Sequence, residues 1–368
     1  MTNMRIGIPK ETRAGETRVA ITPDIAKKLL GKGVVLQMEK DAGLAAGFKN
    51  EDYAAAGVEV VGRAVALAAD IVTKVRKPDS DEIAAMQEGA LFIGHIETCE
   101  DDGTLSAMFA RNIRPLAMER IPRISRAQSM DALSSQSNIA GYRAVIEAAA
   151  RYGRFFPLMM TSAGSAKPAR VVILGVGVAG LQAIATARRL GGDVYAYDLR
   201  PETREQIESL GAKPIDLDIG EEGSGEGGYA RELSDEAKAR QQELLADELA
   251  KAHVIVTTAL IPCRPAPVLV TEDVVKRMRE GSVIVDLAAA NGGNCPLTEP
   301  DKVVRKHGVI LVGHTNYPAM MAGDASSFYA HNIASLLSIM VEESDDGLIF
   351  KDFAEDEITA AALITPES

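Results

Sequence analysis

Short apolar runs rich in β-branched residues alternate along this chain with segments whose apolar positions recur at helical spacing, the pattern of a parallel α/β architecture. The run MRIGIPKE opens a first strand, and VVLQM from Val34, DIVTKV from Asp70, LFIG from Leu91 and IRPLAM from Ile113 continue the set. A helix is expected from Thr22 and Pro23, an N-cap followed by proline at the first helical position, to a stop at Gly31 and Gly33. Further helices are expected from Asp52, Asp79 and Asp102. None of these turns carries a glycine fingerprint, so this first unit is not expected to cradle a dinucleotide by itself.

The pattern breaks between Ile121 and Tyr142. The segment IPRISRAQSMDALSSQSNIAGY is rich in Ser, Gln and Arg and has no strand character, which makes it a polar crossing suited to lining a cleft. A helix from Ile139 to Arg151 should follow it. A second set of strands then begins at Val171, namely VVILG, DVYAYD, HVIVTTA, SVIVDLA and VILVG, with helices from Ala179, Glu202, Asp235 and Thr271. The apolar helical pattern from Ser326 to Val341 returns the chain to the first unit. The expected fold is α/β, with two Rossmann-like, doubly wound parallel-sheet domains and a cleft between them. The first would span 1–134 and be completed by 325–368, and the second would span 135–324. Between Asp216 and Gly228, DLDIGEEGSGEGG is nearly all glycine and acid. Composition makes it a disordered insertion, whereas its place inside a compact domain suits a lid closed by Tyr229.

Composition narrows the classes. At 46% hydrophobic and 25% charged the 368 residues are ordinary for a globular chain. The uncharged stretch from Val171 to Ala187 contains Gly, Gln and Thr and falls short of the roughly 20 apolar residues a bilayer span needs. A net charge of −12 disfavours a nucleic-acid partner. The N-terminus has no apolar core of a secretory signal. Three scattered cysteines, Cys99, Cys263 and Cys295, suit a reducing compartment and supply no zinc motif, so the expected location is cytoplasmic and no metal is expected.

The strongest chemical signal is GVGVAG, with Gly175, Gly177 and Gly180 between the strand VVIL and a helical run. Glycines there permit a tight turn, let backbone N–H groups approach a pyrophosphate and let helix pack on strand. Asp198 closes the next strand 18 residues beyond Gly180, where an acid accepts hydrogen bonds from the adenosine ribose. Its charge would repel a 2′-phosphate, so NAD(H) is expected over NADP(H), with Arg200 tempering that preference.

A dehydrogenase that oxidises an alcohol or amine also needs a proton-transfer group near the reacting carbon. His95, at the end of a predicted strand, is the best placed, and a hydrogen-bonded structural role suits it equally. His253 and His307 read as structural, and His314 and His331 flank the return to the first unit. Arg123, Arg126, Gln128, Asp131 and Ser134 crowd twelve positions of the crossing segment. They are either a solvated loop or a set that fixes a nicotinamide without supplying a proton-transfer group of moderate pKa. The second alternative suits a site that transfers hydride alone.

Over most of its length, in GIPKETRAGETRVAITP, PRISRAQSMDALSSQSNIAGYRAV, GVGVAGLQAIATARRLG, GGYA, TTALIPCRPAPVLVT and DLAAANGGNCPL, the chain resembles the NAD(H)-binding component of the proton-translocating nicotinamide nucleotide transhydrogenases. That family is similar in fold to alanine dehydrogenase. The resemblance implies that Arg123, Gln128, Asp131 and Ser134 serve the nicotinamide half, with Arg126 beside them. It implies that Gly175, Val176, Gly177, Val178 and Gly180, with Asp198, Leu199 and Arg200, hold the adenosine half. Gly228, Tyr229, Gln241 and Leu260 would belong to or adjoin the closing loop. It further implies direct hydride transfer between NAD(H) on this chain and NADP(H) on a partner subunit, coupled to protons by a membrane channel subunit. A homodimer held at the inner face of the cell membrane through those partners is also implied. Compared with alanine dehydrogenase, Arg18 and His95 match the substrate-binding Arg and the catalytic His, but Arg76 stands for a Lys and Ala290 for a catalytic Asp. Arg does not replace a Lys of adjustable pKa. An amino-acid dehydrogenase is therefore the alternative enzyme, and a non-catalytic NAD(H) sensor the alternative outside enzymes.

Overall fold

A computed structural model describes residues 4–99, 102–217, 235–261, 263–344 and 347–366. The chain forms two compact units, one from 1–136 with 318–368 and the other from 137–317.

The first unit is built on six strands, β1 (Arg5–Ile8), β2 (Val35–Glu39), β3 (Glu59–Val61), β4 (Ile71–Thr73), β5 (Leu91–Gly94) and β6 (Arg114–Ala117), in the order β3-β2-β1-β4-β5-β6. Every neighbouring pair is parallel. The order reverses direction between β1 and β4, as in a doubly wound Rossmann sheet. Strands β4 and β5 are buried at every residue, which is why they read as unbroken apolar runs rather than alternations. Edge strand β3 went unpredicted because its three residues are largely exposed and carry no apolar period. The helix Pro23–Leu30 has Thr22 at its N-cap in extended conformation, but the Thr hydroxyl makes no capping bond. At Ser80–Ala85, by contrast, Asp79 and Glu82 close a reciprocal capping box. Helix Ala322–Met340 packs Tyr329, Ile333, Leu336 and Met340 into the same core as Ile6, Ile8, Leu36 and Ile71, so the late apolar pattern completes this first unit.

The second unit holds β7 (Arg170–Leu174), β8 (Asp193–Tyr197), β9 (Lys213–Pro214), β10 (Val254–Thr257), β11 (Val283–Asp286), β12 (Val303–Lys306) and β13 (Val309–Val312), in the order β9-β8-β7-β10-β11-β13-β12. All five expected strands are present. The sheet gains β9 and an antiparallel edge strand, β12, whose exposed and half-buried positions hid it in the sequence.

Helix α1 (Ala132–Arg151) begins seven residues before the expected Ile139. The carboxylate of Asp131 accepts bonds from the N–H and hydroxyl of Ser134, at 2.8 and 2.6 Å, and starts the helix inside the polar segment. Serines and an asparagine mask its first turns because they favour caps and turns over helix interiors. Among the described residues no helix is long and apolar enough to cross a membrane.

Candidate nucleotide-binding site

Strand β7 is buried from Val171 to Leu174, and the chain leaves the sheet at Gly175, beside the point where the strand order reverses. The three glycines of the turn do three different things. Gly175 has φ +89°, and a Cβ there would stand 2.7 Å from Thr258 Oγ1. The Thr258 hydroxyl lies against the turn, 2.9 Å from the Gly175 carbonyl oxygen. At Gly180 a Cβ would meet that same carbonyl oxygen at 1.9 Å, so helix α2 (Val178–Arg189) packs on the turn only because this residue lacks one. Gly177 has open space around it and caps α2 without a side-chain bond. The first-turn N–H groups of α2 therefore face outward with the positive end of the helix dipole behind them.

Asp198 follows β8 and turns back onto this turn. Its Oδ2 accepts the Val176 N–H at 2.7 Å and Arg200 Nη2 at 3.0 Å, and its Oδ1 accepts Arg200 N and Nε at 2.9 and 3.0 Å. Burial alone would raise this carboxyl, but the bonds from Arg200 and Val176 outweigh it and hold Asp198 below its ordinary range. The group is ionised at neutral pH. Val178 and Leu199 are exposed beside it.

The other residues expected on this side divide. Leu260 is exposed in the turn after β10. Gln241, on helix Asp235–Ala250, bonds the Tyr197 hydroxyl next to Asp198, while burial of that phenol pushes it up to about 12. Gly228 and Tyr229 lie outside the described residues. Sequence inspection missed Asn294, whose buried amide donates to the carbonyls of Ala259 and Pro267 at 2.9 and 2.8 Å and so braces the loop carrying Leu260. The run NGGN that contains it enters the sequence reading only through the family resemblance, and nothing local in it announces this brace.

In the first unit the crossing segment forms a 3-10 helix, Ser125–Met130, anchored by buried Ala127 and Met130. Asn332 fixes it from both sides, donating to the Ser129 carbonyl at 2.8 Å and accepting from the Ser135 hydroxyl at 2.7 Å. No local pattern signals this brace, because Asn332 lies about 200 residues away. Arg123 and Gln128 are exposed, and their side chains have no hydrogen-bond partner among the described residues. Asp131 and Ser134 are bonded to each other. Arg126 is turned toward the C-terminal residues, with bonds of 2.7 and 3.0 Å to Asp356 and 3.3 Å to Glu357.

Arg18, Arg76 and His95, the positions compared above with alanine dehydrogenase, sit in a partly buried charge network of the same unit. Arg18 is 4% exposed and engaged on Nε and Nη2 by Glu16 and on Nη1 by Gln136. Arg76 also reaches Glu16, at 2.9 Å. His95 Nδ1 lies 3.5 Å from Glu119 Oε2, and the ring stacks on Tyr329. Burial pushes Glu119 up, yet its bonds to His95 and backbone amides bring it below its ordinary range. In the second unit Ala290 is exposed in a short turn. His253 accepts the Arg170 N–H at 2.9 Å, and His307 pairs with Glu272 at 2.9 Å. Among the described residues no group of three or more His, Cys, Asp or Glu side chains is placed to hold a metal ion.

Known proteins resemble this chain along its length. The model of the alanine dehydrogenase/PNT N-terminal domain matches residues 7–140, and that of the C-terminal domain matches residues 144–367. An NAD(P) transhydrogenase alpha subunit of Rhodospirillum rubrum is 49% identical over 371 residues, covering 98% of this chain and 96% of that one. The crystal structure of a transhydrogenase from Sinorhizobium meliloti superposes with a TM-score of 0.83 at 42% identity, over 91% of this chain and 94% of that one. An L-alanine dehydrogenase structure superposes with a TM-score of 0.81 at 26% identity, over 98% and 94%. The chain belongs to the alanine dehydrogenase/PNT family, and within it to the NAD(P) transhydrogenase alpha subunits.

Proposed function

We propose that this chain is the NAD(H)-binding component of a proton-translocating transhydrogenase, exchanging hydride directly between NAD(H) and NADP(H) held on a partner subunit. The observation that carries this reading is the GVGVAG turn with an ionised Asp198 against it. The open backbone at Gly177 and the α2 N-terminus suit a pyrophosphate, and the acid suits ribose hydroxyls while repelling a 2′-phosphate.

Arg123, Gln128, Asp131 and Ser134 are the residues we assign to the nicotinamide half, with Arg126 beside them holding the segment to the C-terminal acids. From Ile121 to Gly141 there is no His, Lys, Cys or Tyr. None is needed, because NADH + NADP⁺ → NAD⁺ + NADPH leaves no proton to place. The chemistry the nucleotide supplies is a hydride at nicotinamide C4. The chain's role is to hold the reacting carbon where a second ring can come within about 3 to 3.5 Å, which requires the partner to dock over it. Gly228, Tyr229, Gln241 and Leu260 are assigned as belonging to or adjoining the closing loop that excludes water, Gln241 from its helix and Leu260 from the turn after β10.

The Rhodospirillum relative is named as an alpha subunit, which supports partner subunits for this chain as well. We place proton coupling in a membrane channel subunit, the chain at the cytoplasmic face, and the assembly as a homodimer. Titration of the isolated chain with NADH, followed by reconstitution with an NADP(H)-binding subunit and reduction of a thionicotinamide analogue of NADP⁺, tests the proposal. Transfer should appear only when both are present. NADH binding without any transfer would leave a nucleotide sensor, and NADH-dependent reduction of pyruvate with ammonia by the isolated chain would leave an amino-acid dehydrogenase.

A further inference from the structure

The carboxylate of Asp198 is filled by the chain itself. An ionised carboxylate offers about four acceptor positions, and here each oxygen takes two donors. Val176 N–H supplies one, and Arg200 supplies the other three through N, Nε and Nη2. Arg200 Nη2 also lies 3.3 Å from the Val176 carbonyl oxygen, so the guanidinium bridges the glycine turn and the acid. The acid is mostly buried, with 10% of its side chain exposed, whereas the Arg200 side chain is 53% exposed.

These donors are not equally removable. The Val176 N–H is part of the turn and cannot leave without unmaking it. The Arg200 amide is fixed as well, because its own carbonyl accepts the Thr203 N–H and hydroxyl that start the next helix. Only the guanidinium can swing away, into solvent that rehydrates it. A ribose hydroxyl that bonds to Asp198 must therefore take a position the guanidinium holds. The same guanidinium is unsuited to welcoming a 2′-phosphate, since reaching for one would strip it from Asp198 and leave an uncompensated carboxylate beside the phosphate.

We propose that Arg200 is an affinity-setting latch, an internal competitor for Asp198 that the adenosine ribose of NAD(H) displaces on binding. The inference rests on the nucleotide-binding reading above and assigns Arg200 a role opposite to that of a direct ligand. Without the latch, Asp198 is open to ribose hydroxyls and repels a phosphate more strongly.

The test is titration of the full chain with NADH and with NADPH, following nicotinamide fluorescence, for Arg200→Ala and Arg200→Gln, with melting curves confirming folding. Both variants should bind NADH about two- to fivefold more tightly, the fold-change expected from releasing a half-exposed ion pair, while NADPH becomes no tighter. The Asp198→Ala variant should bind NADH more weakly, and adding Arg200→Ala to it should produce no tightening, because the competition exists only when the acid is present. An unchanged or weaker NADH affinity in both Arg200 variants, with Asp198→Ala still harmful, overturns the latch and leaves the nucleotide site standing. Failure of the wild-type chain to bind NADH, or an Asp198→Ala variant that binds it normally, overturns both.

Discussion

Arg18 grips Glu16 through two parallel bonds, Nε to Oε1 at 2.7 Å and Nη2 to Oε2 at 2.6 Å, with both side chains almost wholly buried. Burial alone would raise Glu16, but Arg18, then Arg76, reverse this and lower it to about 2. Its ordinary value is 4.5, so the stabilisation is present above pH 4.5 and is lost as pH falls from there toward 2. The two partners are not equivalent. Removing Glu16 leaves Arg18 with Gln136, whereas removing Arg18 leaves Glu16 on Arg76. Glu16→Met should therefore lower stability by about 3 to 5 kcal/mol, and Arg18→Met by less. Urea unfolding of both variants checks the order, and a larger loss for Arg18→Met contradicts it.

The glycines of the nucleotide turn separate folding from binding. Gly180→Ala puts a methyl 1.9 Å from a backbone oxygen and should cost at least about 1 to 3 kcal/mol as α2 is pushed off the turn. Gly177→Ala meets no atom within 4 Å and sits at φ −81°, so stability should change by no more than about 0.5 kcal/mol. Its methyl would instead stand where a pyrophosphate approaches, and NADH affinity should fall about tenfold or more. Thermal melts and NADH titration of the two variants read the two effects separately. Normal NADH affinity in a well-folded Gly177→Ala variant removes the pyrophosphate from this turn.

The central strands were legible because they are short, β-branched and buried on both faces, and GVGVAG was legible because each glycine answers a local requirement. What stayed hidden depended on distant or polar partners. Edge strands β3 and β12 lack an apolar run, and the first turns of α1 are made of serines that only Asp131 organises into a helix. Asn332 braces the RAQSMD segment from about 200 residues away, and no local pattern could announce that. The sequence placed Arg200 near a nucleotide, but only the geometry shows its fork closed on Asp198.

Asp131 carries two roles that substitution can split. Its carboxylate starts α1 by accepting the Ser134 N–H and hydroxyl, and the proposed function also sets it beside the nicotinamide. Asp131→Ala should lose the cap, about 1 kcal/mol, whereas Asp131→Asn keeps most of it. Hydride transfer in the reconstituted enzyme should fall in both variants while the melting temperature falls mainly in the first. Full transfer by Asp131→Asn would confine the residue to capping.

Glu11 imposes a pH dependence of the opposite sign to that of Glu16. Its Oε1 accepts the Val75 N–H at 2.6 Å, while its buried Oε2 has no hydrogen-bond partner and lies 3.8 Å from Lys74 Nζ. Burial is the largest influence and raises the carboxyl from 4.5 to about 7, against the pull of Lys74 and the Val75 amide. Between those values the folded chain keeps a proton that the unfolded chain has released. Stability is therefore fully present below pH 4.5 and declines as pH rises through about 7, by at most about 3 kcal/mol. Glu11→Gln does not titrate, so the wild type should lose ground to this variant across that window and hold a constant difference above it. Denaturant midpoints of the pair at about pH 4.5, 5.5, 6.5 and 7.5 measure this directly. A difference that does not vary with pH would mean that Glu11 titrates alike in the folded and unfolded chains, with water reaching its buried Oε2 well enough to solvate the charge.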